Sequence, residues 1–372
     1  MKRCILHFGM AKTGSTSIQV TMAAVGRRDG FAFVQAGAAN AAKALAIAFM
    51  DNPLEFPAVK RLGMSPKALQ AERSNVLEQF GVILASGAET FLLSTEMLSQ
   101  FDKQTLRALR RWLLERVDAI QLIGYVRPIR SYLDSMFSQS LRNGNGSFDL
   151  AQRYPGFRDR LHKLEVVFGK GNVLYRTFDP LTLREGCVVQ DLAEFVGLQL
   201  VPGEVQRVND GLSKDASSLL YAYRKLGPGY GVGPKVVAEN IRLAQRLQAL
   251  QGPKLRLARH LVDPLLQAQV DDLAWVEGRL GRSIAGEAAV APDGDTVSSE
   301  EDLLTFSHST LVWLADQSAA PADVYARILS GRAQDVADAM EALRHLPAPG
   351  HRRAERRSRG ARPVHPAVRP AT

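Results

Sequence analysis

Cys4-Ile5-Leu6-His7-Phe8 runs directly into Gly9-Met10-Ala11-Lys12-Thr13-Gly14-Ser15-Thr16, and then into apolar residues at the helical positions Ile18, Met22 and Val25. The first five residues read as a short buried strand and the next six as a glycine-punctuated loop. Ser15 onward reads as a helix, with Gly26 as its C-cap. A strand, a glycine loop and a helix in that order aim backbone N–H groups and a helix N-terminus at one point, an arrangement that suits an anion. Gly9 and Gly14 let the backbone approach closely, Lys12 brings a full positive charge, and Thr13, Ser15 and Thr16 bring hydroxyls. Taken alone, the string fits either a phosphate-binding loop or a plain turn between two elements.

Working outward, further apolar runs predict strands at Phe31–Val34, Thr90–Ser94, Ala119–Val126 and Asn172–Phe178. The run Ala-Ile-Gln-Leu-Ile-Gly-Tyr-Val from Ala119 is apolar nearly throughout, as expected of a strand covered on both faces. Helical patterns fill the gaps: Asn40–Met50, Pro66–Phe80 with Ser65 as N-cap, a helix capped by Asp102, one opened by Pro128, and one near Glu185–Val196. Strands alternating with helices predict a parallel, doubly wound sheet. Beyond Asn209 the pattern is helical, with amphipathic runs at Ser213–Leu226, Val236–Leu250 and Lys254–Leu280. These patterns divide the chain into an α/β domain with a helical C-terminal part (1–285), a linker (286–300), a small helical extension (301–346) and a basic disordered tail (347–372).

The 372 residues are 46% hydrophobic and 23% charged, the balance of a globular protein with a sizeable core. Of the net charge of +9, the stretch from Ala342 carries +7, through eight arginines against Glu355. The rest is close to neutral, so net charge does not support a nucleic-acid-binding face on the folded part. Two cysteines, Cys4 and Cys187, are too few for a disulfide framework and fit a reducing, cytoplasmic setting. Met1-Lys2-Arg3 with the apolar stretch after it faintly imitates a signal peptide. That stretch is broken by His7 and runs into the loop, so a buried strand is the better account. No stretch approaches the roughly 20 apolar residues of a membrane span.

A Walker A loop places its lysine after the second glycine, whereas Lys12 precedes Gly14. The order Lys12-Thr13-Gly14-Ser15-Thr16 instead resembles the 5′-phosphosulfate loop of sulfotransferases that use PAPS (3′-phosphoadenosine-5′-phosphosulfate). A second string carries the same resemblance. The family binds the 3′-phosphate through an arginine ending a central strand and a serine eight residues later, which matches Arg127 after Tyr125-Val126, and Ser135. Arg127 falls where ligands sit in open α/β sheets, at a strand's C-terminal end. Taken singly, Arg127 also fits a surface ion pair and Ser135 an ordinary helix serine. Arg130 fits either phosphate assistance or a solvated helix face.

The resemblance implies a P-loop NTPase-like three-layer α/β fold, with a central parallel sheet of about five strands plus C-terminal helices. It implies PAPS as donor, PAP as product, no metal, and a small-molecule or saccharide acceptor with a hydroxyl or amine. In this family a catalytic His or Glu follows the third strand. Leu93-Ser94-Thr95-Glu96 departs from the cytosolic Lys-Ser/Thr-His and points to the bacterial or carbohydrate-type branch, with Glu96 as general base; Glu96 also fits a charge at the start of a turn. Lys12 would stabilise the leaving phosphate. His7 reads as a core histidine, and the remaining histidines form no spaced metal cluster. Leu174–Phe178 and Asn209-Asp210-Gly211-Leu212-Ser213 echo a strand and a loop of the family, while its C-terminal Arg-Lys-Gly clamp is not evident. Asn143–Arg160 is expected to border the acceptor, with Arg153, Arg158 and Arg160 favouring an anionic or sugar group or simply lying at the surface. Two other readings stay open: a P-loop kinase for a nucleotide or small molecule, which needs a Walker A order and an acidic Mg²⁺ ligand, and a non-catalytic PAPS- or PAP-binding protein.

Overall fold

The computed structural model describes residues 1–201, 203–208, 211–285 and 296–347. The linker expected at 286–300 lies outside the described residues as far as 295, as does the basic tail beyond Pro347. The chain falls into two compact units. The first comprises Met1–Phe137, Asp149–Asp210 and Arg256–Thr296; the second comprises Ser138–Phe148, Gly211–Leu255 and the described part of Val297–Thr372.

Unit 1 is built on a six-stranded sheet. Its strands are β1 (Arg3–Gly9), β2 (Arg27–Arg28), β3 (Phe31–Phe33), β4 (Thr90–Thr95), β5 (Ala119–Val126) and β6 (Val173–Thr177), in the order β2-β3-β4-β1-β5-β6. All neighbours are parallel except β2 and β3, so the expected parallel sheet of about five strands is present, with a two-residue antiparallel strand added at one edge. Arg27-Arg28 carries no apolar signal and pairs with Phe31-Ala32 across the Asp29-Gly30 turn.

The register decides where function can sit. Phe8 pairs with Thr95, Gly9 with Tyr125, and Val126 with Thr177. The C-terminal ends of β4, β1 and β5 therefore finish level, and the segments that follow them open at one edge of the sheet, the usual ligand edge of parallel α/β folds.

Helices cover both faces. α1 (Ser15–Val25) follows the loop; α2 (Ala42–Phe49), α3 (Pro57–Lys60) and α4 (Pro66–Leu84) link β3 to β4; α5 (Lys103–Leu114) links β4 to β5. α6 (Ile129–Arg142) and α7 (Phe157–Phe168) lie between β5 and β6, and α8 (Val188–Val196) follows β6. On one face Ile5, Leu92, Ile123 and Tyr125 pack against Ile18 and Met22 of α1 and Val188, Val189 and Leu192 of α8. On the other, Phe8 meets Tyr175 edge-to-face, and Tyr175 reaches Leu161 of α7. The alternation of the strands thus feeds two helical layers, which makes the three-layer fold. Side chains cap the helices where the sequence signals it: Ser65 accepts from Ala68 N–H at 3.2 Å and Asp102 from Thr105 N–H at 2.7 Å.

Further helices are α9 (Lys214–Leu226) and α10 (Pro234–Leu247) in unit 2, α11 (Arg259–Ala268) and α12 (Val270–Leu280) in unit 1, and α13 (His308–Ser318), α14 (Ala322–Leu329) and α15 (Ala333–His345) in unit 2. The run Lys254–Leu280, read as one amphipathic pattern, breaks at Gln269 into α11 and α12. Within unit 2, buried Arg224 donates to Leu141 O (3.0 Å) and Asn240 Oδ1 (2.7 Å), with the rings of Tyr223 and Tyr230 each 5.0 Å from its guanidinium. Among the described residues, no helix is long and apolar enough to cross a membrane.

Candidate active site

The loop after β1 turns sharply. Lys12 holds φ +69° and Gly14 φ +76°, both left-handed. Gly14 N-caps α1 and has no side chain to bond the N–H groups of the helix's first turn. A Cβ on Gly9 would lie 2.0 Å from Ser15 Oγ, so glycine lets the strand pass this close to the helix start without displacing Ser15. Thr13 is fully buried and donates to Met10 O at 2.7 Å, bracing the loop from within; Ser15 is buried beside it, and Thr16 is exposed.

Arg127, at the end of β5, reaches this loop. Its NH1 donates to Lys12 O at 2.8 Å, its Nε donates to Ser131 Oγ at 3.0 Å, and its guanidinium lies 5.7 Å from the Phe178 ring centre. Two motifs separated by 115 residues are thereby joined by one guanidinium. On α6 the side chain that holds Arg127 is Ser131, one turn before Ser135, which is half-buried. Arg130 pairs with Asp263 at 2.6 Å and is not a solvated helix arginine. Asp134, between these residues, accepts from Leu257 N–H at 2.9 Å. Burial pushes its carboxyl up to about 6, against the pull of Arg256, Arg127 and Arg130.

Glu96 stands just past β4 and shares a narrow cleft with Gly9, Met10 and Ala11 of the loop and with Phe157, Arg160 and Leu161 of α7. Burial raises its carboxyl pKa, and the Lys12 charge draws it partly back down. Lys12 and Glu96 thus influence each other across the edge where β1 and β4 end level.

Comparison with models of protein families and with curated proteins gives no match. Among solved structures, a crystal structure described as a sulfotransferase from Alicyclobacillus acidocaldarius matches at 12% identity and a TM-score of 0.41, over 76% of this chain and 97% of that one.

Beneath the loop lies a polar layer that the sequence did not announce. His7 Nδ1 lies 2.8 Å from Ser94 Oγ, which also accepts from Gln19 Nε2 at 3.3 Å. Burial alone lowers the His7 pKa to about 3, in keeping with its reading as a core histidine. Nearby, Tyr125 donates to Asp191 Oδ2 at 2.6 Å, and Arg176 donates to the same oxygen at 2.6 Å. The first set ties β1, β4 and α1 together, and the second ties β5, β6 and α8.

The segment expected to border the acceptor divides. Arg153 is buried, donates to Asp149 O and stacks 4.9 Å from the Phe137 ring, so it belongs to the interior. Arg158 and Arg160 are exposed, and of the three arginines Arg160 is the one that lines the Glu96 cleft. Asn209 and Asp210 of the loop noted in the sequence lie outside the described residues.

Proposed function

We propose that the protein is a PAPS-dependent sulfotransferase that transfers the sulfuryl group to a hydroxyl or amine acceptor. The observation that carries this reading is the hydrogen bond from Arg127 to Lys12 O, which joins the loop suited to a 5′-phosphosulfate to the residue suited to a 3′-phosphate. A 3′-phosphate is what separates this donor from ordinary adenine nucleotides. Lys12, Thr13, Gly14, Ser15 and Thr16 would hold the 5′-phosphosulfate, with backbone N–H groups at the start of α1 doing most of the binding. Arg127 and Ser135 would hold the 3′-phosphate. Ser131 and the stacked Phe178 ring steady the Arg127 guanidinium.

In the proposed step the acceptor oxygen or nitrogen attacks sulfur as its proton passes to the Glu96 carboxylate. The bond from sulfur to the bridging phosphate oxygen breaks, its electron pair stays on that oxygen, and PAP leaves. Lys12 offsets the charge that grows there. Partial burial of Glu96 supports its role as base, because a carboxyl with a raised pKa is a stronger proton acceptor once ionised.

Calorimetry with PAP and AMP tests the donor. PAP is expected to bind at least tenfold tighter, and equal affinities would overturn the 3′-phosphate assignment. Glu96→Gln is expected to bind PAP normally and to lose turnover by about 10²–10⁴; full turnover would remove Glu96 from the mechanism.

A further inference from the structure

α5 and α7 lie side by side and carry a row of cations that leads away from the Glu96 cleft. Arg160 lines that cleft. Lys163 follows one turn later on α7, on the same side of the helix. Lys103 opens α5 beside them, and Arg107, Arg110 and Arg111 continue along its exposed face. The last three line a groove of about 500 Å³ against Val166 and Val167 of α7. From Lys103 to Arg111 the row covers about 12 Å of helix. Among the described residues none of these six cations forms an ion pair. Acids are also close: Glu115, which lines the groove and pairs with Arg116 at 2.9 Å, Asp102, whose carboxylate caps α5, and Asp159, next to Arg160 and one turn before Lys163 on α7.

We propose that the acceptor is an acidic saccharide whose reactive hydroxyl enters beside Glu96, while its negative groups lie along the α5–α7 seam from Arg160 to Arg111. This rests on the sulfotransferase reading and names the acceptor class for the same site. Like charges set side by side repel, and bound anions would relieve that cost. The crowding is felt within the row: burial, then Arg160, and also Lys103, lower the Lys163 pKa, with Asp102 opposing. A saccharide fits better than a nucleic acid because the row begins at the cleft that holds the proposed base, and only an acceptor gains from that continuity. The chain before Ala342 is near neutral overall, so the row is not part of a general excess of cations.

The test uses the full chain with three probes: hexagalacturonate, neutral maltohexaose and a single-stranded DNA hexamer. Hexagalacturonate is expected to bind at least tenfold tighter than maltohexaose and to weaken with added salt. With PAPS present it is expected to be the better substrate, by at least tenfold in kcat/KM. The triple variant Arg107→Gln/Arg110→Gln/Arg111→Gln should raise KM for hexagalacturonate at least tenfold, with kcat and PAP affinity little changed. Arg160→Gln should also weaken hexagalacturonate binding. Equal binding of the two saccharides, or tighter binding of the DNA hexamer, with PAP affinity intact, overturns the acceptor assignment and leaves the donor reading standing. Failure of PAP to bind the unaltered protein overturns the donor reading instead.

Discussion

Acidification should weaken this protein through one buried ring. His7 sits in the central strand with no exposed surface, and its Nε2 has no hydrogen-bond partner among the described residues. Its pKa is about 3 in the folded chain against an ordinary value of 6.5. Because the folded value is the lower one, the unfolded chain takes up the proton first. The stabilisation is complete above pH 6.5 and is lost as pH falls from there towards 3. Between pH 7.5 and pH 5 the linkage relation gives a loss of about 2 kcal/mol from His7 alone. Asp134 acts with the opposite sign: its folded value of about 6 lies above the ordinary 3.8, so protonation on acidification favours the fold by about 1 kcal/mol over the same range. Total stability therefore mixes terms of both signs, and a variant is needed to isolate His7. His7→Asn offers Ser94 a polar partner but does not titrate. Urea unfolding at both pH values should show the gap between the unaltered protein and His7→Asn shifting by about 2 kcal/mol in favour of the variant at pH 5. If both proteins lose the same stability to within about 0.5 kcal/mol, the ring is not held neutral by burial and the reasoning fails.

Gly9→Ala forces a Cβ against Ser15 at the start of α1 and should cost about 1–3 kcal/mol in thermal unfolding; adding Ser15→Ala should recover part of that loss. Asp191→Ala strips the shared acceptor from Tyr125 and Arg176 and should cost about 2–3 kcal/mol, while Asp191→Asn, which keeps a carbonyl oxygen, should cost less. The Glu96 carboxyl, followed by NMR, should titrate above the ordinary 4.5, and Lys12→Gln should move its midpoint higher still because the lysine charge draws it down. An unmoved midpoint would show that the two side chains do not feel each other.

The sheet was readable because its strands are apolar on both faces, and a run such as Ala119–Val126 has few other homes. Capped helices are readable for a local reason: Ser65 and Asp102 each serve the N–H three residues on. β2 was not readable, since Arg27-Arg28 is placed by its turn and partner rather than by its own side chains. α7 is hidden among the charges of Phe157–Phe168, and Arg160, which lines the Glu96 cleft, carries along the chain the same two readings as Arg153 and Arg158. At the site, the loop and Arg127 carry spacing that can be read along the chain. The partnership of Arg127 with Ser131, and the convergence of Tyr125 and Arg176 on Asp191, depend on which strands neighbour one another, and no local spacing encodes that.

The left-handed turn at Lys12 sets folding and chemistry at odds over a single position. A side chain other than glycine in that conformation costs about 1–2 kcal/mol, more than the roughly 0.5–1 kcal/mol of extra chain entropy glycine would give up on folding. Lys12→Gly relieves that strain and strips away the charge that acts on Glu96. Backbone strain favours glycine there while the proposed transfer step needs the lysine, so a screen of random variants for relief of that strain is expected to return molecules with reduced transfer activity altered at this residue.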